Sequence, residues 1–375
     1  MKSRKTGRIA GLLNSATDSG LKKNGNFVVV KHPLDDICMP DKIGRHDVVS
    51  LEDPDEIYHL ITSHTKTVII AGMAHYKENL IVELVDATVR SGRSVIGTGL
   101  NLDAEGKPYG NMAPLMALAD EVQLTKAICS NHLCLDDQAK RSRESIDKSY
   151  EPVCSYHFTF KEAPPVPKNV AGSLELIVGP MFASKTEALV EKIQDYKFLT
   201  VPFVVFKWTN DARYGEEKRE SLQEGFITTH NETKIPAVAV NNANDIKRYL
   251  DAKENKKIRT VLIDEGQFIE GVYDLVFKLI PQGYKFHISG LARGYNRKPF
   301  GDIPSLMCLA DNIDFRSSIC VKCYEPATES HRIEASEGDT LIQPGGKGAY
   351  EARCLKDWSV PKETEARYKI IPLEI

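Results

Sequence analysis

Between Gly99 and Cys129 the chain reads GLNLDAEGKPYGNMAPLMALADEVQLTKAIC, and between Gly290 and Cys320 it reads GLARGYNRKPFGDIPSLMCLADNIDFRSSIC. The two stretches align without a gap. Gly-Leu, Lys-Pro-aromatic-Gly, Leu-Met-x-Leu-Ala-Asp and Ile-Cys recur in the same order. Upstream, TVIIAGMAHYKE (Thr67 to Glu78) matches TVLIDEGQFIEG (Thr260 to Gly271). Downstream, YEPVC (Tyr150 to Cys154) matches YEARC (Tyr350 to Cys354), and FVVVKHPLDD from Phe27 has a fainter partner in FVVFKWTNDARYG from Phe203. So many ordered matches mean a duplication, and a repeated sequence unit is read as a repeated structural unit.

The linker between the copies is KEAPPVPKN, Lys161 to Asn169, whose three prolines make it stiff and extended. The expected domains are therefore residues 1–165 and 166–375, in keeping with a 375-residue chain that is long for one domain. With 42% hydrophobic and 27% charged residues the composition is that of an ordinary globular protein. A net charge of −3 gives no general attraction to nucleic acid or anionic membrane. No run approaches the eighteen or so apolar residues that span a bilayer. MKSRKTGRIAGLLNSATDSG has no uninterrupted apolar core, so no signal peptide is expected. Five of the eight cysteines fall in short clusters, which without a secretion signal favours metal over disulfides. The expected location is cytoplasmic.

Within the second copy LELIVG, FVVFK, TVLID and KFHISGL read as buried strands, and KTEALVEKIQDYKFL as a helix after the first. Strand alternating with helix implies an α/β fold with a parallel sheet covered on both faces. GPMFASKT (Gly179, Pro180, Met181, Phe182, Ala183, Ser184, Lys185, Thr186) closes the first strand and opens that helix. Its spacing is that of a phosphate-binding loop, except that Ser184 stands where a second glycine is usual. Backbone N–H groups there would cradle phosphates, Lys185 would reach the β/γ-phosphates and Thr186 would ligate Mg²⁺. A plain strand-to-helix turn is the alternative. If the position of Ser184 requires φ > 0, a serine costs about 1 kcal/mol there. In VLIDEGQF a strand ends in Asp264, where a second carboxylate would hold Mg²⁺, and Glu265 follows as a base for an attacking hydroxyl. Two solvated acids at a strand end are the alternative.

GPMFASKT, DARYG, TTHN, DEGQF, RKPFGDIP, ICVKC and GGKGAYEARC occur in the order seen in the type II thymidine kinases, and over residues 174 to about 358 the chain resembles that family. The resemblance implies two tandem RecA-like P-loop lobes with parallel sheets, each followed by a small zinc-ribbon or lasso subdomain. It implies that Gly179, Lys185 and Thr186 bind ATP and Mg²⁺, that Asp264 completes the metal site, and that Glu265 activates the thymidine 5′-hydroxyl. Asp211 and Arg213 would lie beside the phosphates. Gln267, Phe268, Leu291, Tyr295 and Phe300 would line the thymine, and Ser330 stands where the family has a base-contacting Thr. Gly345, Gly346 and Tyr350 fall in the lasso. Deoxyuridine as a second substrate and dTTP as a feedback inhibitor belong to the same expectation. The chain departs from the family at Ser184 and at Ala292, where an Asp is frequent.

The first copy has Ala71 and Gly72 where the second has Asp264 and Glu265, and GRIAGLLNSATDSG contains no Gly-Lys-Thr/Ser. It reads as a degenerate lobe kept for packing, assembly or regulation; a site for a different ligand is the alternative. It does keep Cys129-x-x-His132 and Cys154-x-x-His157, two pairs at the spacing of tetrahedral Zn²⁺. The second copy has Cys320-x-x-Cys323 and Cys354-x-x-Asp357, with a carboxylate in the last place. Cys38, Cys134 and Cys308 are read as ordinary thiols, and His230 as a loop hydrogen-bonding residue.

The leading reading is an ATP-dependent thymidine kinase with one active lobe. The runner-up is a weak or inactive nucleotide-binding or scaffold protein derived from one, and a RecA-like ATPase on nucleic acid lacks a basic tail or base-stacking module. A tandem chain is expected to form a homodimer, a pseudo-tetramer of lobes, because closed twofold symmetry is the commonest assembly.

Overall fold

Short, β-branched, largely apolar runs form strands that need cover on both faces, and in the computed structural model these runs build two separate, mainly parallel sheets. The structure describes residues 27–35, 42–43, 46–76, 79–125, 130, 141–144, 150–154, 158–159, 172–209, 222–228, 233–333, 348–359, 367–371 and 373. The Lys161–Asn169 linker lies outside them. By internal contacts the chain forms two compact units. One comprises Met1–Leu115, Glu144–Glu151 and Lys362–Ile375, the other Met116–Arg143 and Pro152–Pro361.

In the first unit β1 (Phe27–Lys31), β2 (Val49–Ser50), β3 (Thr67–Ala71) and β4 (Ser94–Gly97) lie in the order β2-β1-β3-β4, all parallel. Alternate residues face opposite sides. Val30, Val68 and Ile70 pack with Ile57 of α1 (Pro54–Leu60) and with Ile81 and Leu84 of α2 (Leu80–Arg90), whereas Val29, Ile69 and Ala71 form a separate cluster on the other face. Asp53 caps α1 by accepting from Asp55 N, with Pro54 at the first helical position. The segment around Tyr368 completes this core. Tyr368 is buried in the Val30–Ile57 cluster and donates to Asp55 Oδ1 at 2.6 Å, Arg367 pairs with Asp55 Oδ2 at 2.9 Å, and Tyr58 donates to Lys369 O at 3.1 Å. A third helix, α3 (Met112–Leu118), follows the turn closed by the antiparallel Leu102–Pro108 bridge, its residues from Met116 onward counting with the second unit.

The second unit holds a seven-stranded sheet. Its strands are β5 (Ser173–Val178), β6 (Phe203–Trp208), β7 (Glu224–Thr228), β8 (Lys234–Val240), β9 (Thr260–Ile263), β10 (Lys285–Gly290) and β11 (Asn312–Phe315), in the order β7-β8-β6-β9-β10-β5-β11. All pairs are parallel except β7 with β8. The four strands read from the sequence and the helix α4 (Lys185–Phe198) appear within a residue or two of their expected bounds. The β7–β8 edge was not foreseen, because Pro236 inside β8 argues against a strand. On one face Ile177, Val205 and Leu262 pack against Ala188, Leu189 and Ile193 of α4. Two short strands near the end, β12 (Glu329–Arg332) and β13 (Tyr350–Arg353), pair antiparallel, with Ser330 opposite Ala352 and Arg332 opposite Tyr350.

Candidate active site

Parallel sheets gather loops at the carboxyl ends of their strands, and that is where β5, β9 and β10 deliver their polar residues. β5 ends at Val178 and α4 begins at Lys185, so Gly179–Ser184 is the connecting loop. Gly179 is required by close approach, since a Cβ there would collide with the backbone of Arg316. Phe182 and Ser184 both take left-handed conformations, at φ +65° and +51°. The position before Lys185 thus does demand φ > 0, and Ser184 gives α4 no side-chain cap in return. Lys185 is buried, and its Nζ donates to Pro180 O at 2.7 Å. Thr186 Oγ1 lies 3.2 and 3.3 Å from the two oxygens of Asp264. Asp264 is 2% exposed and also accepts from Ser289 Oγ.

Glu265 opens a short 3₁₀ turn, Gly266–Phe268, in the left-handed conformation at φ +56°. A non-glycine residue held there costs on the order of 1–3 kcal/mol. It is buried and accepts from Gln267 Nε2, while Gln267 Oε1 accepts from Leu291 N at 3.1 Å. Phe268 stacks on Trp208 with centroids 4.6 Å apart and meets Phe300 edge-on at 5.4 Å. Tyr295 lies under the Arg332 guanidinium, 5.2 Å away, and its carbonyl accepts from Trp358 Nε1 at 3.2 Å. Ser330, buried, accepts from Met181 N at 3.0 Å, which joins it to the Gly179–Ser184 loop. Tyr350 is buried in β13. Asp211, Arg213, Gly345, Gly346 and His230 lie outside the described residues.

Sequence reasoning passed over Trp208 and Ser289. Both had a signal: each sits at or near the carboxyl end of a buried parallel strand beside one already marked by chemistry. It also passed over Arg293 and Glu329, whose pairing only the fold reveals.

Near the end of the second unit, Cys320, Cys323, Cys354 and Asp357 bring their ligand atoms within 4.8 Å of one another. Cys320 and Cys354 thiols each donate to Asp357 Oδ2 at 3.3 Å, and Cys323 Sγ lies 3.5 Å from Cys354 Sγ. The Asp357 carboxylate pushes the Cys323 thiol up to about 12. Hydrogen bonds from Cys323, Cys354 and Cys320 hold Asp357 below the usual carboxylate range. The four ligand atoms converge on one point, where a divalent cation would replace the thiol protons on binding. Three soft donors and one carboxylate suit tetrahedral zinc. In the first copy Cys154 is buried, while Cys129, His132 and His157 lie outside the described residues.

The first copy follows the same local path with other side chains. Gly72, in place of Glu265, is left-handed at φ +73° and opens a 3₁₀ turn, Met73–His75. The bridge Arg293–Pro299 has its counterpart in Leu102–Pro108, and left-handed Gly301 in left-handed Gly110. Each of these two glycines abuts a backbone carbonyl, of Gln267 and of Ala74 respectively. Tyr109 meets His75 edge-on at 5.4 Å, as Phe300 meets Phe268. Ala71 and Gly72 supply no carboxylate.

A family model described as Thymidine kinase matches residues 3–158 and, separately, residues 172–358. The chain belongs to the thymidine kinase family. As a member it is a phosphotransferase with thymidine and ATP as its substrates, and the two matched segments correspond to the two copies. Among the described residues no helix is long and apolar enough to cross a membrane.

Proposed function

We propose that the second copy carries the thymidine kinase reaction alone, and that the first is structural or regulatory. The carrying observation is the contact of Thr186 with buried Asp264, with Glu265 adjacent in sequence and Ala71 and Gly72 at the matching positions of the first copy.

In this reading residues 179–186 hold ATP, with Lys185 leaving Pro180 O for the phosphates. Thr186 and Asp264 hold Mg²⁺, which when bound neutralises charge on the transferring phosphoryl group. Ser289 keeps the Asp264 carboxylate oriented. Glu265 takes the proton from the thymidine 5′-hydroxyl, with Gln267 fixing its carboxylate. Phe268, Leu291, Tyr295 and Phe300 enclose the thymine, Asp211 and Arg213 flank the phosphates, and Gly345, Gly346 and Tyr350 close over the nucleoside. Ser330 is assigned to the base by resemblance. Deoxyuridine is a second substrate and dTTP a feedback inhibitor. Zinc is structural, held by Cys320, Cys323, Cys354 and Asp357 and by Cys129, His132, Cys154 and His157. The duplicated copies are residues 1–165 and 166–375, and the protein works in the cytoplasm as a homodimer of tandem chains. A light-scattering mass near that of one 41.8 kDa chain would overturn the dimer.

ATP turnover measured with and without thymidine tests the reading, and Glu265→Gln locates it. Turnover should depend on the nucleoside and fall at least about a hundredfold in the variant, with both substrates still binding. An unchanged rate removes Glu265 from the reaction.

A further inference from the structure

The contact between Ser330 and the phosphate-binding loop joins a peptide group that is held from both ends. The Pro180–Met181 peptide presents its carbonyl to Lys185 Nζ at 2.7 Å and its N–H to Ser330 Oγ at 3.0 Å. Its orientation sets where the Lys185 ammonium rests. A flip of that peptide would turn an N–H toward an ammonium in place of a carbonyl.

Ser330 is itself braced. Its neighbour in β12, Glu329, is 1% exposed and accepts from Arg293 Nε at 3.1 Å, from Arg293 Nη2 at 2.8 Å and from Arg297 Nη1. Arg293 also donates to Thr328 O, at 3.1 Å, and to Ala117 O, at 2.7 Å. Two buried guanidiniums face one buried carboxylate, and Asp120, 3.6 Å from Arg293, supplies the balancing charge from the surface. A buried pair of this kind is poor evidence of net stability and better understood as fixing one geometry. Ala117 and Asp120 come from the first sequence copy, yet they fall in the second compact unit. Together with Gly179, Pro180, Arg293 and Ser330 they line a cavity of about 190 Å³ at the entrance of the loop.

We propose that Ser330 is a positioning residue for the phosphate-binding loop, held by the Arg293–Glu329–Arg297 cluster that residues 117–120 of the first copy complete. The proposal rests on the assignment of residues 179–186 to ATP. It gives Ser330 a role toward ATP, where family resemblance assigns it to the base.

Steady-state kinetics of the full-length protein separate the two roles. Ser330→Ala should raise KM for ATP about three- to tenfold, the range one lost hydrogen bond supports, and leave KM for thymidine within about twofold. Ser330→Thr, which keeps the hydroxyl, should restore the ATP value. A rise in thymidine KM alone, or no change in either, overturns the proposal. Arg293→Ala should shift KM for ATP in the same direction, and the double variant should do no worse than the larger single effect, because the two act through one contact. Additive effects would detach the cluster from Ser330. The Ser330 variants decide the main point whether or not Arg293→Ala folds. Lys185→Met is the control: if it leaves KM for ATP unaltered, the loop assignment has failed, whereas its loss of ATP use alongside an unaffected Ser330→Ala sinks the brace alone.

Discussion

Gly301→Ala and Gly110→Ala apply one perturbation to matching positions of the two copies. Both glycines are left-handed, at φ +56° and +52°, and a residue with a Cβ costs about 1–2 kcal/mol in that region. At Gly301 the new Cβ would stand 2.9 Å from the carbonyl carbon of Gln267 and nearer still to its oxygen. At Gly110 it would stand 3.1 Å from that of Ala74, again with the oxygen nearer. Backbone blocks the way in both cases, so the loops must move on the order of 1 Å, and overpacking of this kind adds about 1–3 kcal/mol. Each variant should therefore lose about 2–5 kcal/mol of stability, read by urea unfolding. The effect on turnover should differ between the copies. The backbone displaced by Gly301→Ala carries Gln267, whose amide holds Glu265 and Leu291 N. A misplacement on the order of 1 Å next to a reacting group costs about a hundredfold in kcat. Gly110→Ala moves Ala74, which carries nothing the reaction uses. Under conditions where both variants are fully folded by circular dichroism, kcat for thymidine should fall about a hundredfold in Gly301→Ala and change less than about twofold in Gly110→Ala. Equal losses at equal folded fraction would refute catalysis by the second copy alone, and full activity of Gly301→Ala would refute the role given to Gln267.

Ser184→Gly relieves about 1 kcal/mol of left-handed strain but raises the entropy of the unfolded chain at a similar free-energy cost, so Tm should hardly move and KM for ATP should stay level or fall; a tenfold loss of kcat/KM would mean the hydroxyl acts on the nucleotide. Glu175 is held at about 2, first by His287 and then by Lys192, against the opposing effect of burial. Because its folded pKa is depressed, its stabilisation is complete above about pH 4.5 and drains as pH falls toward 2. Glu175→Gln should thus cost about 1–3 kcal/mol at pH 7, after screening of a half-buried group, with the gap from the parent at least halved by about pH 3; a gap independent of pH would contradict this. Asp357→Cys should tighten zinc retention against a chelator, since a soft ligand replaces a hard one, and looser retention would count against Asp357 as a ligand.

How much of this was open to sequence reading depended on the range of the interactions involved. Buried strands such as Thr260–Ile263 are legible because a short β-branched, apolar run is the pattern of a strand covered on both faces, and α4 because it follows a motif with a fixed register. The meeting of Thr186 with Asp264 was legible from the motifs, since the strands of a parallel sheet deliver their carboxyl ends to one edge, even though β10 lies between β5 and β9. The left-handed Glu265 could have been read from its alignment with Gly72, the residue type such a backbone prefers. Other features left no periodic trace. The Ser330 contact with Met181 and the Arg293 contact with Ala117 join residues far apart in the chain, and each is a single polar pair without a repeating pattern. The β7–β8 edge was hidden by Pro236.

The tail around Tyr368 has a consequence for synthesis. A chain leaves the ribosome from its N-terminus, and domains ordinarily fold in that order as they emerge. Here β1 to β4 and their helices are made early, but the tyrosine that fills their core and the Asp55 partners that anchor it arrive after the whole second unit has been translated. At about 5–20 residues per second that interval is on the order of tens of seconds. Throughout it the apolar side chains around Val30 and Ile57 lack their last neighbour, so the unit that begins first is finished last.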